Sequence, residues 1–172
     1  MGRPAAPLVA LIFFCMAMNS GAAAAPAGVS ASHPPVPRFV SLKTEGANGR
    51  RGPGADQPVE WVYQREGLPL LITGESGPWR RVRDPDGAEV WMRAQNLDDH
   101  RTALVLGNHD VALRREADSS SRVVAFLAPG VVGALTGCDG EWRRIAVGGR
   151  VGWLSKDAIW GADPTCPAPS SG

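Results

Sequence analysis

Two stretches of this chain repeat one another. Trp79 to Met92 reads W-R-R-V-R-D-P-D-G-A-E-V-W-M, and Trp142 to Leu154 reads W-R-R-I-A-V-G-G-R-V-G-W-L. Each is a tryptophan, two arginines, a β-branched residue, a glycine-containing turn and a second tryptophan followed by an apolar residue. A repeat at this scale limits the architecture more than any composition figure, because one supersecondary unit has to be used twice. Both copies read as β-hairpins, with short β-rich runs around the tight-turn pairs Asp86-Gly87 and Gly148-Gly149. The first copy has one extra residue between its tryptophans, in the turn.

The rest of the chain falls into register around these hairpins. In the first copy, residues 38–97, the strands are Phe39 to Leu42, Val59 to Tyr63 and Leu68 to Thr73, with Ala47 to Asp56 a long Gly- and Arg-rich loop. Gln95 to Leu97 suits a 3₁₀ turn. In the second copy, residues 98–161, Thr102 to Leu106 matches the Phe39 strand. Val111 to Arg115 lies where Ala47 to Arg51 lies, and Val123 to Leu127 matches Val59 to Tyr63. No stretch sustains an apolar period of 3.6 residues, and short strands recur between turn signals, so the fold class is all-β, as sandwich or barrel. A unit of about 60 residues is marginal alone. The join Asp98-Asp99-His100 is short, so the copies are expected to pack on each other.

Residues 1–27 read as a secretory signal peptide, with Arg3, an apolar run from Leu8 to Met18 and A-x-A sites. That run is shorter than the about 20 residues of a membrane-spanning helix, so no stable span is expected after cleavage. Phe13-Phe14 is too bulky for lipidation at Cys15. Residues 28–37 read as a flexible linker and 162–172 as a disordered tail. Export to the periplasm implies an oxidising compartment, where Cys138 and Cys166 are the two cysteines left, either bridged or as free thiols. The net charge is +1, which gives no field for nucleic acid or a membrane. Arginine supplies 16 of the 18 basic residues, a bias that carries little functional weight by itself.

The opening motifs are A-N-G-R-R-G-P (Ala47 to Pro53) and V-A-L-R-R-E-A (Val111 to Ala117); the closing motifs are G-P-W…D-G-A-E-V-W-M and G-E-W…G-G-R-V-G-W-L. Each copy resembles a bacterial SH3-like (SH3b) domain, in which a V-N-V-R-x-G-P loop opens the unit and a G-x-W…G-x-x-G-W-[VL] hairpin closes it. The longer string R-F-V-S-L-K…R-R-G-P…W-V-Y is similar to a group of exported Gram-negative proteins with such repeats. The second copy has Glu116-Ala117 in place of the G-P pair, and the first has Gly49 where a β-branched residue or Leu is usual. The resemblance implies two tandem SH3-like β-barrels with short 3₁₀ turns, and a cell-envelope binding module for peptidoglycan or its peptide stems.

Strand alternation puts Trp79, Arg81 and Arg83 on one face and Arg80 and Val82 on the other. If Val82, Ile145, Met92 and Leu154 face the core, then Trp79, Trp91, Trp142 and Trp153 face outward with Arg81 and Arg144, as a face for a sugar ring or a peptide. The other reading is that these tryptophans pack against the opening loop or between the copies. The arginine doublets are either a cationic rim for carboxylates or stems covering the core edge. Catalytic chemistry has little to stand on. His33, His100 and His109 are scattered, a Cys138–His pair lacks support, and no H-E-x-x-H, G-x-S-x-G or P-loop pattern occurs. No enzyme, cofactor, metal site or nucleic-acid partner is therefore expected. The partner is peptidoglycan or, alternatively, another envelope protein for which the chain is a scaffold.

Overall fold

The computed structural model describes residues 34–164 with Cys166, and Gly2. The expected signal peptide, most of residues 28–37 and the end of the tail lie outside the described residues. The first repeat is built of β1 (Arg38–Leu42), β2 (Ala47–Arg50), β3 (Val59–Tyr63), β4 (Pro69–Ser76), β5 (Trp79–Arg83), β6 (Glu89–Arg93) and β7 (Leu97–Asp98). The second has β8 (Thr102–Val105), β9 (Val111–Arg114), β10 (Val123–Leu127), β11 (Val132–Asp139), β12 (Trp142–Val147), β13 (Arg150–Ser155) and β14 (Ile159–Trp160). One 3₁₀ turn precedes the last strand of each repeat, at Ala94–Asn96 and Lys156–Ala158. The strand orders are β3-β2-β6-β5-β4-β1-β7 and β10-β9-β13-β12-β11-β8-β14, the same order twice, all antiparallel. Ala47 to Arg50, read from the sequence as loop, is strand β2.

The expectation of two closed barrels is corrected. Each repeat is an open seven-stranded sheet whose two outermost strands, β3 and β7 in the first repeat and β10 and β14 in the second, do not pair. β7 is two residues long and pairs only with β1, and β3 pairs only with β2. The sheet is nevertheless strongly coiled. A flat sheet would hold its outer strands about 29 Å apart at about 4.8 Å per strand. Here Val40, Leu42, Ala47, Tyr63, Leu70, Val82 and Met92, drawn from β1 to β6, form one buried cluster. Curvature comes in part from a bulge in the long strand of each repeat, between Ile72 and Gly74 in β4 and between Leu135 and Gly137 in β11.

The hairpins differ as the spacing implied. In the second repeat Val147 pairs with Arg150 around Gly148 and Gly149, both at positive φ, a two-residue turn suited to the strand twist. In the first, Asp84 N–H donates to Ala88 O (3.0 Å), enclosing three residues that end in Gly87 at φ 89°. The extra residue is absorbed there, and Asp84 organises it: one carboxylate oxygen accepts from the N–H groups of Asp86 (3.1 Å) and Ala88 (2.9 Å).

The repeats pack on each other. Thr102 Oγ1 donates to Gly67 O (2.7 Å), and Trp160 Nε1 donates to Pro69 O (3.2 Å). The Trp160 ring meets Phe39 edge-on at 5.2 Å, and the Arg101 guanidinium lies 5.8 Å from the Phe39 ring centre. Gly161 closes this junction at φ 107°, where a Cβ would strike the Thr102 carbonyl and Pro69 Cβ (2.8 Å).

Residues 162–164 and Cys166, at the start of the stretch read as a tail, make contacts with the second repeat. Arg143 Nη2 donates to Asp163 O (2.7 Å), and Arg101 pairs with the Asp163 carboxylate (2.8 Å). Cys138 and Cys166 are joined as a disulfide with Cα atoms 5.7 Å apart. The first repeat meets the same need with Glu75, which occupies the position matching Cys138. It pairs with both Arg38 (2.6 Å) and Arg80 (3.2 Å), the counterparts of Arg101 and Arg143.

Candidate functional site

The paired tryptophans lie as the hairpin register dictates. Trp79 is opposite Arg93, and Arg81 opposite Trp91; Trp142 is opposite Ser155, and Arg144 opposite Trp153. Val82, Met92, Ile145 and Leu154 are buried, so the sequence assignment of the inner face holds. The outer face is not uniformly open. Trp79 is only 7% exposed; the Arg93 guanidinium sits 5.0 Å from its ring centre, and Thr44, Gly46, Ala47, Asn48 and Ala55 line a cleft with it. Of the two readings open for the tryptophans, packing against the opening loop describes Trp79. Trp91, Trp142 and Trp153 are half-buried, while Arg81 and Arg144 are exposed, Arg81 paired with Glu89.

The arginine doublets divide into two kinds. The inner members, Arg80 (6% exposed) and Arg143 (3%), each bend back to close the preceding turn. Arg80 Nη1 donates to Gly77 O (2.8 Å) and Trp79 O (3.0 Å); Arg143 Nη1 donates to Gly140 O (2.7 Å) and Trp142 O (2.9 Å). The first arginines of the opening loops act alike. Arg50 Nη1 donates to Gln57 O (2.6 Å), and Arg114 Nη1 to Ser121 O (2.7 Å). These four are loop-closing groups, each giving a guanidinium N–H to a backbone carbonyl of its own turn or loop.

Two of the concave features among the described residues hold tryptophans. The first is a polar cleft of about 270 Å³ on the first repeat, floored by Trp79 and edged by Arg50, Arg93, Asn48 and Asn96. Among the described residues, neither Arg50 nor Arg93 is paired with a carboxylate. The second repeat lacks this combination, since Ser155 stands where Arg93 would be. The second feature is an apolar groove of about 390 Å³ between the repeats, lined by Trp61, Tyr63, Leu68 and Asp86 of the first and by Leu104 and Gly130 of the second. Its wall includes a buried pair in which Tyr63 OH donates to Asp84 Oδ2 (3.0 Å). Burial first, and the Asp84 carboxylate second, push the Tyr63 phenol well above its ordinary range.

Sequence reasoning passed over Trp61, which is 59% exposed. Between Val59 and Val62 it reads as one more apolar strand residue. Its exposure arises because β3 is a sheet edge that stands off the core along four of its five residues. The signal available was that the second repeat has Ala125 at the matching position, so this tryptophan is not part of the duplicated framework.

The Cys138–His pair weighed from the sequence does not form, because the Cys138 sulfur is bonded to Cys166. His100 and His109 are exposed, and His33 lies outside the described residues. Among the described residues no group of three or more His, Cys, Asp or Glu side chains converges as a metal site, and no helix is long and apolar enough to cross a membrane.

Comparison with solved structures finds two distant likenesses from Trichomonas vaginalis. The NlpC2 structure shares 14% identity at a TM-score of 0.33, covering 72% of this chain and 48% of that one. The NlpC1 structure shares 15% identity at 0.32, covering 76% and 47%. This chain thus spans about half the length of those chains. Curated proteins give no match. The family profile described as Bacterial SH3 domain matches twice, over residues 43–99 and 108–161. The two matches take in both hairpins, both bulged strands and both opening loops, and the chain belongs to the bacterial SH3 domain family as a tandem pair.

Proposed function

We propose that this protein is a non-enzymatic binding module of the cell envelope, exported to the periplasm, that takes the peptide stems of peptidoglycan. The observation that carries the reading is the cleft over Trp79. Peptide stems present carboxylates on a short extended chain. Arg50 and Arg93 offer guanidinium groups at the edge of a concavity whose remaining edge, Asn48 and Asn96, supplies amide donors and acceptors. Arg93 is held over the Trp79 ring, so little side-chain entropy is left to lose when it meets a carboxylate. Trp91 with Arg81 on the first repeat, and the half-buried Trp142 and Trp153 with Arg144 on the second, are the remaining outer-face positions. The second repeat contributes less, because Ser155 replaces the stacked arginine. Avidity between two equal sites is therefore not expected.

The test is retention of the protein on purified sacculi. Trp79→Ala is the wrong probe, since removing a buried tryptophan costs about 3–5 kcal/mol of stability. Arg93→Glu, at an exposed position, reverses the charge without emptying the core. Retention is expected to fall about tenfold or more, as for loss of a charge-assisted hydrogen bond worth about 1.5–3 kcal/mol. Wild-type retention of Arg93→Glu removes the cleft from the mechanism. A single crosslinked envelope protein, with no retention on sacculi, replaces this reading with a scaffolding one.

A further inference from the structure

We infer that the groove between the repeats is a site for a quaternary ammonium group of the choline type, drawn to the open ring of Trp61 by an anionic lining. Trp61, 59% exposed, lines the groove together with the Asp84 and Asp86 carboxylates and a single arginine, Arg65. None of these three charged groups is ion-paired among the described residues, so two carboxylates against one guanidinium leave the groove net negative. Arg65 and Asp86 stand in water, which screens them, whereas Asp84 is buried and screened less. The Tyr63 phenol registers this field: burial raises it first, and the charges of Asp84 and then Asp86 raise it further. A cation over the face of a tryptophan is attracted by the ring quadrupole, the more so where water is excluded. The second repeat has none of these groups. Ala125, Leu127 and Val147 stand where Trp61, Tyr63 and Asp84 stand, and the Gly148-Gly149 turn replaces the one that carries Asp86. The same fold is therefore reached without them.

Hydrogen-bonding capacity selects among cations. Asp84 is already occupied: Oδ1 accepts from the N–H groups of Asp86 and Ala88, and Oδ2 accepts from the Tyr63 hydroxyl. Its charge acts on the groove, but its oxygens are taken. A lysine ammonium brings three N–H donors and an arginine guanidinium five, with only the Asp86 carboxylate free to receive them. A trimethylammonium group brings no donor. It needs a ring face, a negative field and apolar contact, and Val62, Leu68 and Leu104 supply the last. A groove of about 390 Å³ admits a head group of that size. A metal ion fits less well, since among the described residues no three His, Cys, Asp or Glu side chains converge.

The groove shares no lining residue with the cleft over Trp79, and the inference does not rest on the stem-peptide reading. The experiment titrates the full chain with choline chloride by calorimetry, against sodium chloride at matched ionic strength. Saturable binding is expected, with a dissociation constant of about 1 mM or tighter. The neutral isostere 3,3-dimethyl-1-butanol is expected to bind at least about tenfold more weakly, because it keeps the shape and lacks the charge. Trp61→Ala is expected to lose about fivefold or more in affinity, and Asp86→Asn about twofold or more. Phe126→Ala, which removes a side chain 66% exposed on the matching edge strand β10, is expected to bind as wild type. All three positions are exposed, so urea midpoints are expected to stay at the wild-type value. Co-sedimentation with phosphatidylcholine vesicles, competed by choline, would assign the group to a lipid head; choline binding without co-sedimentation would assign it to a free solute, and either sustains the site. Absence of saturable choline binding, equal affinity for the neutral isostere, or wild-type affinity in Trp61→Ala overturns the proposal. Sacculi retention reports on the cleft and choline on the groove, so each reading can fail alone.

Discussion

Gly49 and Val90 exchange roles with Leu113 and Gly152. A Cβ on Gly49 would lie 2.7 Å from Val90 Cγ2, and one on Gly152 would lie 2.7 Å from Leu113 Cγ. The positions match between repeats, since Arg50 pairs with Trp91 and Arg114 with Trp153. One slot in each core is therefore filled from opposite strands: by β6 in the first repeat and by β9 in the second. This explains why the first opening motif carries glycine where an aliphatic residue is usual. Gly49→Leu alone is expected to cost about 1–3 kcal/mol by overpacking. Val90→Gly alone is expected to cost about 2–4 kcal/mol through a cavity and a strand glycine. In the double variant the new leucine takes the vacated slot, so the cost falls at least about 1 kcal/mol short of the sum. Urea denaturation measures the cycle, and additivity within about 0.5 kcal/mol would show that the two positions do not share a slot.

At the scale of the element, the first hairpin depends on a polar pair that the second does without. Asp84 is buried, fixes its own turn with one carboxylate oxygen and accepts the Tyr63 hydroxyl with the other. The corresponding residues of the second repeat are the apolar Val147 and Leu127, and its turn needs only two glycines. The folded phenol is raised above the unfolded value of about 10. Above that pH the unfolded chain has released a proton that the native chain keeps, so ν_U is smaller than ν_N and stability falls as pH rises. Tyr63 is the only tyrosine, so its ionisation can be followed directly by absorbance. Native protein is expected to show no phenolate near pH 10, and Tyr63→Phe to lose stability less steeply between pH 10 and 12. At neutral pH that variant is expected to be about 1–3 kcal/mol less stable, because the Asp84 carboxylate loses a buried donor. A phenol titrating near pH 10 in the folded protein would contradict the buried pair.

At the scale of the whole molecule, the repeats are held as one body by the Phe39–Trp160 contact, the Thr102–Gly67 bond and the close approach at Gly161. Because each repeat alone is near the lower limit of independent stability, calorimetry is expected to show one cooperative transition. Trp160→Ala removes both the edge-on ring contact and the bond to Pro69 O, and is expected to separate the melting of the two repeats. Two resolved transitions in the wild-type protein would mean the junction carries no stabilisation.

The sequence by itself determined the all-β class, the duplication, the boundaries of the hairpins and the inner face of each, because all of these follow from local alternation and turn chemistry. It did not determine that the sheets stay open, that Ala47 to Arg50 is a strand, or that Trp79 is buried at the base of a cleft while Trp61 stands in water. Those outcomes depend on which strand lies at an edge and which loop crosses which face. Alternation specifies the face on which a side chain emerges, and only the folded chain decides what covers that face.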